Sequence, residues 1–404
     1  MAEKKWGDGV YNLISWFDIE KVRKATVLVV GAGALGNEVL KNLALLGVGN
    51  IIIVDFDTIE YSNLTRSVLF RKGDAELQAY KSEIAAKRIK ELNPEVNTHW
   101  LNGDIEKEIG LGYFRNSDVI IGCLDSILAR YVVNNYALRF KKPWIDGGIK
   151  NLDGHSAVYA IDKSCYACSL SDEAKQSMAI REGCADIFNE NMSFGRVATT
   201  PISASIIGAI QAQEALKIIH GYDDGDEFEN FQVCKTLLNK NFYFEGMNMD
   251  AYSTITEDYF DVCPHHDTWD NVITDDFITT QLTIKQLFEY FEKKYDDKLQ
   301  ALYLRNRFVS HLLIAQEDRT KDRKFELMVP DSKVGDFIIQ NDIEIDFEET
   351  AYKLPSPEGG YDMINQDFEW KHLTLEQIGI PKFDVLHIES ATKDYYIEIS
   401  KERF

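Results

Sequence analysis

No apolar stretch in this 404-residue chain approaches the roughly 20 residues of a membrane-spanning helix. The N-terminal MAEKKWGDGV is no signal peptide, so a soluble, cytoplasmic protein is expected, with no membrane partner. Positive charge is scarce. The 44 Lys and Arg against 66 Asp and Glu leave a net charge of −22, which excludes a nucleic-acid partner because phosphate backbones need a basic face. Cysteine is sparse as well. Six in an intracellular chain point to metal binding or catalysis before disulfides. Internal repeats and low-complexity tracts are lacking too. What remains is an ordinary globular composition, 45% hydrophobic and 27% charged, long enough for two or three domains.

The densest information lies between Ala25 and Arg66. An apolar run, Val27 to Val30, enters Gly31-Ala32-Gly33-Ala34-Leu35-Gly36; an amphipathic helix follows, then Ile51 to Val54, stopping at Asp55. This is a strand, a glycine turn, a helix and an acidic strand end, the first βαβ unit of a nucleotide-binding sheet. Gly31, Gly33 and Gly36 let the backbone turn tightly and bring N–H groups and a helix N-terminus to a phosphate. Asp55, about 20 residues on, is placed to accept hydrogen bonds from a ribose.

The continuation favours a triphosphate with a divalent metal over a dinucleotide. Asp55-Phe56-Asp57-Thr58-Ile59-Glu60-Tyr61-Ser62-Asn63-Leu64-Thr65-Arg66 supplies one cation, and Lys81 heads the next helix. Asp125 follows the apolar strand Val119 to Cys123. Arg66 and Lys81 can neutralise phosphate charge during a displacement, and Asp125 can hold Mg²⁺.

The DFD…SNL.R run, Lys81 before its LNP turn, Asp125, Ile145-Asp146-Gly147-Gly148 and the run from Pro201 to Lys217 resemble the adenylation domain of ubiquitin-activating enzymes and their MoeB/ThiF relatives. The resemblance covers about the first two-thirds of the chain. It implies ATP-dependent adenylation of a protein's C-terminal glycine carboxylate. Asp55 would bind the ribose, Arg66 and Lys81 the phosphates, Asp125 magnesium, and Asn63 would lie near the nucleotide. A homodimer is also implied. MoeB-type relatives carry an arginine in a short N-terminal helix that reaches into the partner subunit's site; the matching region, Val10 to Phe17, has none. Either another cation substitutes, Arg23 being nearest, or the mechanism manages without it.

Cys165-Tyr166-Ala167-Cys168 and Cys263-Pro264-His265-His266 can together complete a tetrahedral zinc site of three thiolates and one imidazole. The fourth ligand is assigned to His266, with His265 as the alternative; the resembled family usually has four cysteines. Cys123 and Cys234 read as packed core residues. That leaves Cys184, in Arg181-Glu182-Gly183-Cys184-Ala185-Asp186. Ubiquitin-type activating enzymes carry their thioester cysteine in the corresponding crossing loop, so the resemblance makes Cys184 the nucleophile toward the acyl adenylate.

The last third reads as an α+β module: a strand over Phe277–Ile284, an amphipathic helix over Lys285–Tyr295, and strands at 301–304, 311–314, 337–339, 385–388 and 395–399. Leu375 to Ile380 and Val385 to Ile388 resemble the C-terminal ubiquitin-fold domain that recruits a conjugating enzyme. The acidic run Asn341 to Glu349 could steer a basic partner helix.

The expected architecture is α/β: a doubly wound, Rossmann-like adenylation domain with a zinc-tethered crossing loop, then a C-terminal β-grasp domain. Its divisions are 1–168, the crossing loop 169–199, 200–269 and 270–404. The expected activity is activation of a ubiquitin-like protein through a thioester on Cys184 and transfer to a conjugating enzyme, with ATP, Mg²⁺ and Zn²⁺ as cofactors. The compact size resembles the activating enzymes of bacterial ubiquitin-like operons, some of which serve antiviral defence. Rivals are a sulfur-carrier adenylyltransferase without the thioester relay, a peptide-adenylating enzyme of the microcin type, and a nonenzymatic scaffold.

Overall fold

The computed structural model describes residues 5–170, 199–221, 235–256, 263, 265–314, 323–334, 336 and 360–399. Cys184, Cys234, Phe337–Ile339 and the acidic run 341–349 lie outside the described residues. The described residues divide into two compact units. One is drawn from Met1–Ile105, Tyr113–Leu170 and Gly195–Thr268, the other from Glu106–Gly112 and Trp269–Phe404.

The first unit is built on strands β1 (Thr26–Val30), β2 (Asn50–Val54), β3 (Asn97–Leu101), β4 (Val119–Gly122), β5 (Trp144–Lys150), β6 (Asp153–Tyr159), β7 (Lys240–Glu245) and β8 (Asp250–Ile255). They form one sheet in the order β3-β2-β1-β4-β5-β6-β7-β8. The pairs from β3 to β5 are parallel and those from β5 to β8 antiparallel. Strand order reverses at β1, which has β2 on one side and β4 on the other. In open α/β sheets such a reversal leaves a ligand crevice at the carboxyl ends of the strands.

Helices α1 (Ala34–Leu46), α2 (Lys81–Leu92), α3 (Ile127–Arg139) and α4 (Pro201–His220) flank this sheet. Val39, Leu40 and Leu43 of α1 pack with Val27, Val29, Ile51, Ile53, Val119 and Ile121 in one buried cluster. Helix α1 stops at Gly47, whose φ of +81° provides the left-handed turn of a helix C-terminus. Helix α4 starts on Thr200, whose hydroxyl accepts from Ser203 N–H at 3.2 Å, with Pro201 in its first turn. At 20 residues and a mean hydropathy of 1.2, α4 is long and apolar enough by composition to cross a membrane, contrary to the expectation that no stretch is. Here it packs against α1, β5 and β6 as a core helix.

The second unit contains β9 (Ile273–Asp275), α5 (Ile284–Tyr295), β10 (Leu299–Ile314), β11 (Arg323–Pro330), β12 (Gly360–Asn365), β13 (Val385–Ser390) and β14 (Asp394–Ile399). Its sheet runs β11-β10-β13-β14-β9, and β12 also pairs with β10. The first and last strands, β9 and β14, are parallel neighbours. Helix α5 buries Ile284, Leu287, Phe288 and Phe291 against Leu302, Phe308, Ile388 and Ile397. Residues 277–283 do not form the expected strand. Thr283 is the helix cap: its hydroxyl accepts from Gln286 N–H at 3.2 Å while Gln286 Oε1 accepts from Thr283 N–H at 2.9 Å. This capping box outweighs the strand propensity of the three threonines nearby.

Asp275 ends β9 with its side chain only 2% exposed. It accepts from Lys294 Nζ at 2.7 Å, Tyr295 Oη at 3.1 Å, Tyr290 Oη at 3.2 Å and Phe277 N–H at 3.1 Å. Burial pushes its pKa up, but these donors outweigh it and hold the carboxyl below the usual carboxylate range. A depressed carboxyl pKa stabilises the fold above the unfolded value and loses that contribution as pH falls through the folded one. Asp275→Ala is expected to cost about 2 kcal/mol at pH 7, less than a fully buried pair because Lys294 is half-exposed. Calorimetric melts of wild type and variant should draw together as pH falls below the usual carboxylate range; a constant gap would show that the charge is irrelevant.

Candidate functional site

The glycine loop leaves β1 at the strand-order reversal. Gly31 has φ +97°, and a Cβ there would lie 2.4 Å from the Cys123 carbonyl oxygen. A Cβ on Gly36 would lie 2.0 Å from the Gly31 oxygen. Both glycines are therefore required by the turn and by its packing. Gly33 differs. It precedes α1 and nothing among the described residues stands within 4 Å of its Cβ position, so they leave the helix N-terminus open to an approaching group.

Asp55, at the end of β2, closes the loop from below. Its carboxylate accepts from Ala32 N–H at 2.7 Å and Asp57 N–H at 2.8 Å. Burial pushes its pKa up, and the Lys81 charge opposes the shift. Asn37, fully buried on α1, donates to the carbonyls of Ala32 (2.7 Å) and Gly33 (2.9 Å) and accepts from Leu69 N–H at 2.8 Å. Sequence reasoning missed it; the signal was an amide on the apolar face of a helix.

Lys81 opens α2 and ion-pairs with Asp57 at 2.5 Å. Arg66 donates to the Ser62 carbonyl at 3.0 Å and has no carboxylate partner among the described residues. Asn63 caps the short turn Tyr61–Thr65, its Oδ1 accepting from Glu60 N–H at 2.9 Å. Asp125 follows β4, exposed, and its carboxylate takes no hydrogen bond among the described residues. The Cys123 thiol is pushed far up by burial, which suits a packed residue and disqualifies it as a nucleophile.

A second group of polar residues, at the end of β4 and within β5, was not singled out as a site by the sequence reasoning. Arg130 on α3 donates Nε to Asp146 Oδ1 at 3.1 Å, and Nη2 to the carbonyls of Leu124 (2.5 Å) and Gly147 (3.2 Å). Asp146, 1% exposed, also faces His155 Nε2 at 3.5 Å. Burial would raise its pKa, yet Arg130 and His155 hold it below the usual range. Gln211 of α4 donates to the Gly122 carbonyl at 2.8 Å. A Cβ on Gly147 would strike Gln211 at 2.5 Å, and one on Gly148 would strike His155 at 2.2 Å.

Cys165, Cys168, Cys263 and His266 converge, their ligand atoms all within 4.8 Å of one another. The Cys165–Cys168 and Cys165–Cys263 sulfur separations are 3.6 and 4.0 Å. Tetrahedral zinc with Zn–S bonds of about 2.3 Å implies about 3.8 Å between sulfurs, so the donor set fits. His266 Nδ1 lies 2.8 Å from the Ile161 carbonyl, which can only accept. That places the proton on Nδ1 and makes Nε2, 3.6 Å from Cys168 Sγ, the ligating nitrogen. His265 turns to the Tyr131 hydroxyl at 3.1 Å.

Arg23 is committed to its own chain. Its guanidinium donates to Asp8 (2.9 Å), Glu20 (2.7 Å) and the Trp6 carbonyl (2.8 Å).

An open glycine loop, an acidic strand end and two cations around a strand-order reversal define a nucleotide-binding α/β protein. The ThiF family profile matches residues 11–257, and the chain belongs to that family of MoeB- and E1-like adenylating enzymes. SUMO-activating enzyme subunit 2 of Dictyostelium discoideum is 38% identical over 159 residues, 39% of this chain and 24% of that protein. The sulfur carrier protein adenylyltransferase of Thermus thermophilus is 33% identical over 208 residues, 50% of this chain and 72% of that protein. Among solved structures, E. coli MccB with ATP is 23% identical with a TM-score of 0.48, over 61% of this chain and 68% of that one. The alignment with the first relative thus spans about a quarter of its length.

Proposed function

We propose that this protein activates the C-terminal carboxylate of a ubiquitin-like protein with MgATP. The observation that carries the nucleotide reading is the glycine loop, open at Gly33 and tied to Asp55 where strand order reverses. The carboxylate attacks the α-phosphate and pyrophosphate leaves. Arg66, with no carboxylate partner among the described residues, and Lys81 offset the phosphate charge; Asp55 holds the ribose, with Asn63 beside the nucleotide. Magnesium, held by Asp125, would supply charge neutralisation across the phosphate oxygens. The Cys184 thiolate then attacks the acyl adenylate, forming a thioester and releasing AMP, and a conjugating enzyme's cysteine accepts the acyl group by exchange. Zinc in the Cys165, Cys168, Cys263 and His266 cluster is structural. Such thiol chemistry suits a reducing cytoplasm, and a homodimer follows from the family resemblance.

The second unit supports the relay. Residues 258–404 lie beyond the family match. There, a helix packed on a mixed sheet whose first and last strands are parallel neighbours suits a β-grasp docking module. The sulfur-carrier reading is kept as the alternative because the Thermus thermophilus relative shares more of its length with this chain.

A nonreducing gel of the protein, MgATP and a candidate ubiquitin-like partner tests the relay. Wild type should give an ATP-dependent, thiol-sensitive adduct that Cys184→Ala lacks. Pyrophosphate release with no such adduct would leave adenylation standing and move the sulfur-carrier reading to the front.

A further inference from the structure

We propose that Arg130 is a positioning residue that aims Asp125 at the metal–nucleotide complex; the inference rests on the nucleotide reading above. The Leu124 carbonyl that Arg130 grips at 2.5 Å belongs to the peptide unit ending at the Asp125 Cα. A peptide unit is planar, so fixing its oxygen fixes the Asp125 backbone on that side. On the other side Ser126 caps α3, its hydroxyl accepting from Ala129 N–H at 3.3 Å. Asp125 is thus held at both flanks while its exposed carboxylate takes no hydrogen bond among the described residues. A ligand oriented through its backbone alone depends on whatever grips that backbone.

Arg130 is itself locked. Asp146 takes its Nε at 3.1 Å, and the Gly147 carbonyl shares its Nη2 at 3.2 Å. Only a planar fork of donors reaches a carboxylate and two carbonyls from separate segments together; a lysine replaces the charge but not the fork. The buried pair is a weak source of stability, since apolar pairs of similar volume often serve as well. Its geometry accounts for it better: it fastens the β4–α3 turn, where Asp125 sits, to the middle of β5.

The test is titration calorimetry of ATP into the full-length protein, in magnesium and in EDTA, for wild type, Arg130→Lys, Asp125→Ala and the double variant. Arg130→Lys keeps a cation beside Asp146 and should fold. The gain in ATP affinity on adding magnesium should fall about tenfold in Arg130→Lys, the usual size for losing the support behind a metal ligand. Affinity in EDTA should stay within about twofold, and the lysine should add nothing on an Asp125→Ala background. If Arg130→Lys is unfolded, Arg130→Met with Asp146→Leu removes both charges and should show the same selective loss. Equal losses with and without magnesium, or additive effects in the double variant, would overturn the proposal alone. A wild type whose ATP affinity ignores magnesium would overturn the metal–nucleotide reading and this proposal with it.

Discussion

Arg66→Ala should slow ATP-dependent pyrophosphate exchange by about 10²–10³-fold, the effect of removing one donor aimed at developing charge. The size follows from what Arg66 lacks. Lys81 already faces Asp57 at 2.5 Å, so part of its charge is committed before a nucleotide arrives. Among the described residues Arg66 holds only the Ser62 carbonyl, so its charge is available to the phosphates at no cost in an ion pair broken there. The loss should fall mainly on kcat, because charge on the departing pyrophosphate grows toward the transition state. Arg66→Lys should recover part of the rate, since a point charge cannot reproduce two-pronged donation to a phosphate. Exchange within twofold of wild type in Arg66→Ala would remove Arg66 from the site.

Removing the metal should have the largest effect on stability. Elemental analysis should find about one zinc per chain, and Cys168→Ser or exhaustive chelation should lower the melting temperature by about 10 °C or more. The cluster joins Cys165 and Cys168 to Cys263, 98 residues from Cys165, so losing the ion frees a long stretch of chain. Without an ion the thiols gain little from one another. Burial pushes Cys168 up to about 12, leaving a neutral thiol that accepts poorly. A serine there cannot supply the thiolate that zinc prefers. Cys123→Ser, away from the cluster, should keep the full zinc content. A protein without zinc whose melting is indifferent to chelators would make the cluster a packed group of thiols.

Much of the first unit was legible because its signals are local. An apolar run stopping at Gly31 and another stopping at Asp55 specify two strands and a turn, since φ +97° at Gly31 and the collision awaiting any Cβ on Gly36 are met only by glycine. The two ligand pairs were legible for the same reason: each spacing keeps two candidate ligands close along the chain, two sulfurs in one pair and a sulfur and an imidazole in the other.

The tertiary structure decided what depends on groups far apart in the chain. His266 takes the fourth corner of the cluster because the Ile161 carbonyl, 105 residues away, fixes its proton. The strand expected over 277–284 gives way because Thr283 is worth more as a helix cap, and β9 finds its partner in β14, more than a hundred residues later. Asp146 and Gln211 fall inside runs that carry the family resemblance, but nothing in the sequence joins them to Arg130. The three become one network only when folding carries the end of β4 and the middle of β5 to α3 and α4. Turn geometry and periodicity act between neighbours and can be read off a string. The pairing of buried polar groups is set by which ones the packed layers leave without water, and that exists only once the layers have formed.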